Sequence, residues 1–119
     1  MNASDNLSSQ LPLTEVTYFI LLSLSSGAKH GYAIMKEVDQ VSQGRVKLST
    51  GTLYSALKRQ LEEGWIQRVA EPAGDGDQGN SRRRKSYVLS QLGRQILQAE
   101  VLRLRGLLSV AEARTAGIS

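Results

Sequence analysis

The chain has 119 residues, 40% of them apolar and 22% charged, enough for one compact core with an appended helix and too few for separate catalytic and regulatory domains. It has no cysteine and a single histidine, which excludes disulfides, thiolate metal sites, a cysteine nucleophile and a multi-histidine metal cage. The formal net charge of +4 is unevenly placed, with nine basic residues against five acidic ones between Arg45 and Lys85 and a neutral remainder, the pattern of a protein that turns one surface toward a polyanion.

Residues 1–11 are polar and rich in Ser and Asn, too poor in apolar groups to offset the entropy of ordering them, and are expected to form a flexible arm. Pro12 suits a helix start, Thr14 can cap one and Glu15 complements its dipole, so the apolar block Val16, Phe19, Ile20, Leu21, Leu22 and Leu24 predicts a largely buried first helix. That block is too short to span a bilayer and no basic leader precedes it, so neither a membrane helix nor a secretory signal is expected, and a cytoplasmic protein is the default. Ser25, Ser26 and Gly27 end the helix, and Tyr32, Ile34, Met35, Val38 and Val41 repeat the helical spacing over Gly31 to Val41. Gly44 breaks this second helix, and the alternation Arg45-Val46-Lys47-Leu48 predicts a short strand.

The third helix carries the most information. In STGTLYSALKRQLEEG, at 49–64, Ser49 or Thr50 can turn a hydroxyl onto the free N–H groups of the first turn, and Gly64 supplies the stop. Leu53, Ala56, Leu57 and Leu61 line a buried side, leaving Tyr54, Ser55, Lys58 and Arg59 on the other flanks. Hydroxyls and cations facing outward near a helix N-terminus suit phosphates and base edges, although most amphipathic helices of this kind are solvated surface helices.

Trp65 to Val69 predicts a strand, and AGDGDQGNS at 73–81 a mobile loop of turn formers. Arg82, Arg83, Arg84 and Lys85 then lead into Ser86-Tyr87-Val88-Leu89, a strand expected to pair back on the first as a hairpin. Two helices, a recognition helix and a hairpin make a mainly α winged helix-turn-helix with a small β wing. An arginine run in a loop can be mere solubility decoration, yet this one falls where a wing meets the DNA backbone or minor groove. Ser90 caps a last helix from about Gln91 toward Ala113, in which Leu97, Val101, Leu104, Leu108 and Ala111 step by four, three, four and three. That is a heptad seam fit to pair with a second copy, with Leu92 and Ile96 turned to the home domain. Arg103 and Arg105 can pair with Glu100 or Glu112, and exposed pairs of that kind contribute little. The organisation read from the sequence is therefore an arm at 1–11, a winged helix-turn-helix at 12–90 and a dimerisation helix with its tail at 91–119.

The segments LTEVTYFILLSLSSGAKHGYAIMKEV (13–38), GRVKLSTGTLYSALKRQLEEGWI (44–66) and RRRKSYVLSQLGRQIL (82–97) resemble the PadR family of bacterial transcriptional regulators, in order and over nearly the whole chain from Leu13. The resemblance implies a homodimeric repressor joined through its C-terminal helices that binds a palindromic operator in double-stranded DNA. It also implies a small aromatic or drug-like effector that often lowers the affinity. The single short C-terminal helix is similar to the compact subgroup, but the only tryptophan, Trp65, follows helix 3 instead of lying on the dimer helix, against an aromatic drug-sandwiching pore. Combining residues and resemblance, Thr50, Gly51, Thr52, Tyr54, Ser55 and Lys58 are the expected helix 3 contacts, and Arg82, Arg83, Arg84 and Lys85 those of the wing. His30 and Tyr32 match positions that approach phosphate in related proteins or else cap and pack the helix-turn-helix, packing being the role expected of Tyr32. No cofactor, metal or catalytic residue is expected, since no metal spacing, phosphate-cradling loop or nucleophile and base pair occurs. The other classes weighed are a winged-helix protein-interaction module that never touches DNA and, less well matched for want of stacking aromatics on a sheet, an RNA binder.

Overall fold

The architecture follows from four helix caps and one close backbone crossing. The computed structural model describes residues 7–70 and 85–118. In chain order they form α1 (Glu15–Ser23), β1 (Lys29–His30), α2 (Gly31–Val41), α3 (Thr50–Glu62), β2 (Ile66–Ala70), β3 (Lys85–Leu89) and α4 (Gln91–Thr115). Each helix starts at a side chain that accepts a backbone N–H from the first turn: Thr14 from Thr17, His30 from Ala33, Ser49 from Thr52 and Ser90 from Gly93. Of the two candidate caps for α3, Ser49 is the one used, and Thr50 is the first helical residue. At the far end Gly64 takes φ +79°, so that Trp65 N–H donates to the Gln60 carbonyl at 3.0 Å and Gly64 N–H to that of Leu61 at 3.1 Å, the paired closure that a left-handed glycine permits.

The sheet has the order β1-β3-β2, all antiparallel, with Ile66 opposite Leu89, Ala70 opposite Lys85 and Lys29 opposite Tyr87. Its third strand differs from the sequence expectation. Residues 45–48 join no ladder, because Val46 N–H is taken by the Ser42 hydroxyl at 3.0 Å, and Lys29–His30 pairs with the wing instead. Alternation alone does not supply a partner edge, and here the edge of β3 is taken by the residues just before α2. The end of the expected arm is also different: residues 7–9 form a helical turn whose Leu7 packs against the core. Leu7 and Leu11 provide enough apolar surface to hold this part down, a point that the average polarity of 1–11 concealed.

The core draws Ile20, Leu21 and Leu24 from α1, Ile34 and Val38 from α2, Leu53 and Leu57 from α3, Trp65 and Ile66 from the start of the wing, Tyr87 and Leu89 from β3, and Ile96 and Leu97 from α4. Gln60 is buried among them with no hydrogen-bond partner for its carboxamide among the described residues, a local cost of about 1–3 kcal/mol. The junction of α3, β2 and α4 is the tightest point. Ser90 N–H donates to the Trp65 carbonyl at 3.0 Å and the Ser90 hydroxyl to the Gly64 carbonyl at 2.6 Å, while Gly93 brings α4 so close that a Cβ there would lie 2.9 Å from the Trp65 carbonyl carbon and closer still to its oxygen.

A second anchor lies farther along α4. Glu100 is 2% exposed; its carboxylate accepts the Leu13 N–H at 2.9 Å and both forks of Arg103, Nε at 2.5 Å and Nη2 at 3.0 Å. The Arg103 guanidinium, above all, and the Leu13 N–H hold this carboxyl below the usual glutamate range against the opposing effect of burial. The pair expected to be a weak surface contact is therefore a half-buried clamp.

Two outcomes are expected. Gly93→Ala should lower unfolding stability by about 2–3 kcal/mol, whereas Gly51→Ala, where an added Cβ meets nothing within 4 Å, should lose none, as read by denaturant titration. Glu100 binds its proton less readily in the folded protein than in the unfolded chain, so it contributes stability above the ordinary value of 4.5 and that contribution is lost as pH falls below it. Glu100→Gln should flatten the acid limb of stability against pH.

Candidate nucleic-acid interface

The inner side of α3 is committed to the core through Leu53, Leu57 and Gln60, and the helical period leaves Thr50, Gly51, Thr52, Tyr54, Ser55 and Lys58 exposed on one continuous outer side. Capping by Ser49 also orders this surface, since the Ser49 hydroxyl, which accepts the Thr52 N–H, donates to the Thr52 hydroxyl at 2.9 Å. Gly51 has open space where a side chain would stand, so another molecule can approach the backbone of the first turn.

Beside this face, His30, Gly31, Tyr32, Tyr54 and Lys85 line one concavity, which brings the start of α2, the middle of the α3 face and the beginning of β3 together. His30 accepts the Ala33 N–H through Nδ1 at 3.4 Å and thus caps α2. The packing role expected of Tyr32 does not hold: its side chain is 71% exposed, because the following Ala33 and Ile34 turn inward and leave position 32 on the solvent side of the first turn. Gly31, which the sequence pattern did not single out, is what lets the two helices meet. A Cβ there would lie 2.7 Å from the Tyr54 hydroxyl oxygen and 3.2 Å from Leu53 Cδ2. The signal was present in the His-Gly-Tyr step at a helix start, where glycine is a poor helix former and is retained when a neighbour needs the space.

The charge distribution is sharper than a count along the chain. Arg45 forks onto Glu15 at 2.8 and 2.9 Å, lowering the Glu15 pKa chiefly through that hydrogen bond, and Lys47 lies 3.4 Å from Asp39. Two of the nine cations of the basic segment are thereby matched within the domain. Lys58, Arg59, Arg68 and Lys85 enter no ion pair among the described residues. Arg82, Arg83 and Arg84 lie outside the described residues, as does the loop expected at 73–81; Lys85 stands at the start of β3, opposite Ala70.

The expected seam of α4 divides at Glu100. Leu97 is 7% exposed, packed within its own chain's core, Val101 is intermediate, and Leu104, Leu108 and Ala111 are exposed, together with Leu102, Leu107 and Val110. Ile96 is fully buried in the home domain, and Leu92, 41% exposed, lies at its edge and lines a small cavity with Leu7 and Trp65. Among the described residues no helix is long and apolar enough to cross a membrane.

Three helices with a helical turn between the second and third, followed by a hairpin whose sheet also takes in the residues before α2, define a winged helix-turn-helix protein. Residues 20–99 match the transcriptional regulator PadR-like family, and the chain belongs to that family of transcriptional regulators. An uncharacterized protein of a transposon from Streptomyces fradiae is 37% identical over 81 residues, 68% of this chain, although the chain spans only a fifth of that protein's length. A PadR family transcription regulator from Clostridium difficile superposes with a TM-score of 0.67 at 27% identity, over 87% of this chain and all of the other. Bacillus subtilis PadR, solved in complex with operator DNA, superposes with a TM-score of 0.62 at 25% identity, over 74% of this chain and 47% of its own.

The Gly31 and Tyr54 contact is open to a double-mutant cycle. Gly31→Ala should cost about 1–2 kcal/mol of stability, and Tyr54→Phe, which removes the oxygen in the way, should recover about half of that loss in the double variant.

Proposed function

We propose that the protein is a homodimeric repressor in the cytoplasm that binds a palindromic operator in double-stranded DNA. The observation that carries this reading is the outer face of α3: Thr50, Gly51, Thr52, Tyr54, Ser55 and Lys58 are all exposed, next to a concavity that adds His30, Tyr32 and Lys85, in a family one of whose members was solved on its operator. On this reading α3 enters the major groove, where hydroxyls and a lysine meet base edges. The N-terminus of α2 with His30 and Tyr32 meets one phosphate strand, and Arg82, Arg83, Arg84 and Lys85 meet the backbone or minor groove through the wing.

Dimerisation through α4 is supported by the exposed leucines and valine beyond Glu100. Val101, Leu104, Leu108 and Ala111 form the seam, flanked by Leu107, and the core-bound Leu97 marks where the seam meets the domain. A contiguous apolar stripe of this kind is rare on a monomer's surface. A small aromatic or drug-like effector belongs to the same reading. The groove of about 710 Å³ between the turn at 7–11 and α4, lined by Leu7, Leu11, Gln95, Ala99, Leu102 and Arg103, has the size and mixed lining for such a molecule.

The test is a mobility shift on the region upstream of its own gene, with the oligomeric state read by light scattering. A dimer that shifts this DNA at moderate salt supports the reading; a protein that binds no duplex even at low salt overturns it. Alanine at Arg82, Arg83, Arg84 and Lys85 together should weaken binding on every sequence and flatten its salt dependence, by about 0.9 in the logarithmic slope for each phosphate no longer neutralised.

A further inference from the structure

The two halves of α4 differ in kind. From Gln91 to Glu100 the helix is buried along one side by Gly93, Ile96, Leu97 and Glu100; from Leu102 to Thr115 its residues are exposed apart from a half-buried Arg103. The direction in which the outer half leaves the domain is set by two separated anchors. One is the crossing of Gly93 over the Trp65 carbonyl. The other, seven residues on and about 10 Å along the axis, is the carboxylate of Glu100 on the Leu13 N–H. Leu13 directly precedes Thr14, the cap of α1, so Glu100 ties the dimerisation helix to the start of the first helix of the DNA-reading domain. Ile96 and Leu97 lie between the anchors and resist separation, but apolar contacts slide more readily than a directed hydrogen bond does. Arg103 holds the carboxylate from the solvent side with two donors, fixing its plane as well as its position.

The leverage is large. Val101 to Thr115 is about 22 Å long at ~1.5 Å per residue. A change of about 10° at Glu100 therefore moves a point at the far end by about 4 Å, more than the ~3.4 Å rise of one base pair. In a two-fold dimer joined through that outer half, the same angle sets how far apart the two α3 helices stand, and hence which half-site separation they fit.

We propose that Glu100, held by Arg103, is a positioning residue that determines the half-site spacing the dimer selects, without itself touching DNA. The proposal rests on the dimeric DNA-binding reading above. It goes beyond it in assigning spacing to one buried carboxylate at the base of α4, in place of the apolar seam or the wing.

The experiment is parallel selection from a random-sequence duplex pool with the wild-type protein and with Glu100→Gln, Glu100→Asp and Leu97→Ala, each checked for dimer mass and folded signal. Gln keeps an acceptor for Leu13 but cannot take both forks of Arg103 as a carboxylate does; Asp keeps the charge but is one methylene too short to reach. Leu97→Ala removes core packing at the same level of the helix and serves as the destabilised control. The expected result is one half-site motif throughout, at a single separation for wild type and Leu97→Ala. With Glu100→Gln and Glu100→Asp the separations spread over several base pairs, with about tenfold weaker binding at the wild-type spacing. If either Glu100 variant, folded and dimeric, recovers the same single separation with unchanged affinity, the proposal is overturned. It is equally overturned if Leu97→Ala broadens the spacing as much, since general loosening then suffices. A wild-type protein that enriches no sequence, or only single unpaired sites, sinks the dimeric reading itself, an outcome distinct from either of these.

Discussion

The arrangement turns on the backbone crossing at Trp65. Within four residues the chain ends α3, begins the wing and offers one carbonyl, that of Trp65, on which α4 starts: Ser90 N–H donates to it, the Ser90 hydroxyl takes the neighbouring Gly64 carbonyl, and Gly93 has no side chain to hold the helix away. A helix end carries carbonyls with no partner in the helix, and a helix start carries free N–H groups; here one end and one start meet, and a single serine serves both. Because the same residues also open β2, α3, the wing and α4 share one joint, and none of the three can shift by itself.

Much of this was legible in the sequence because it depends on local chemistry. The caps Thr14, Ser49 and Ser90, the stop at Gly64, the inner stripe of α3 and the strands on either side of the loop are each specified within a few residues, and the structure forms the elements there. What the sequence did not reveal depends on partners distant in the chain. The strand at 45–48 had the right alternation and no edge to join, while Lys29–His30, too short to show any period, pairs with β3 nearly sixty residues away. Sequence alone puts Glu100 among the surface charges because charges usually lie there. Its spacing from Gly93, Ile96 and Leu97 puts it on the buried side all the same, and the Arg103 fork together with the Leu13 N–H, far away in the chain, explains how a carboxylate is tolerated there. Gly31 belongs to the same class, since the reason for a missing Cβ is a tyrosine hydroxyl on another helix.

Electrostatics divides along similar lines. The basic excess between Arg45 and Lys85 marks a stretch of the chain, but proximity in sequence does not tell spent charges from available ones. The fold answers Arg45 with Glu15 and Lys47 with Asp39, both exposed pairs that screening leaves with little energetic weight. Their effect is on the field: these two cations are matched within the domain, and the unmatched ones of the segment among the described residues are Lys58, Arg59, Arg68 and Lys85, of which Lys58 lies on the outer side of α3 and Lys85 beside it.

The joint also contains the chain's sole indole. Trp65 is 8% exposed, with Leu92 and Ile96 of α4 and Leu7 of the N-terminal turn lining the small cavity against it. Its emission therefore reports on the seat of the C-terminal helix and carries no background from any other residue of its kind. Nature has in effect labelled the joint with a dye: solvent reaching that ring would redden its fluorescence, so any movement of α4 against the winged domain can be followed in unmodified protein, in real time.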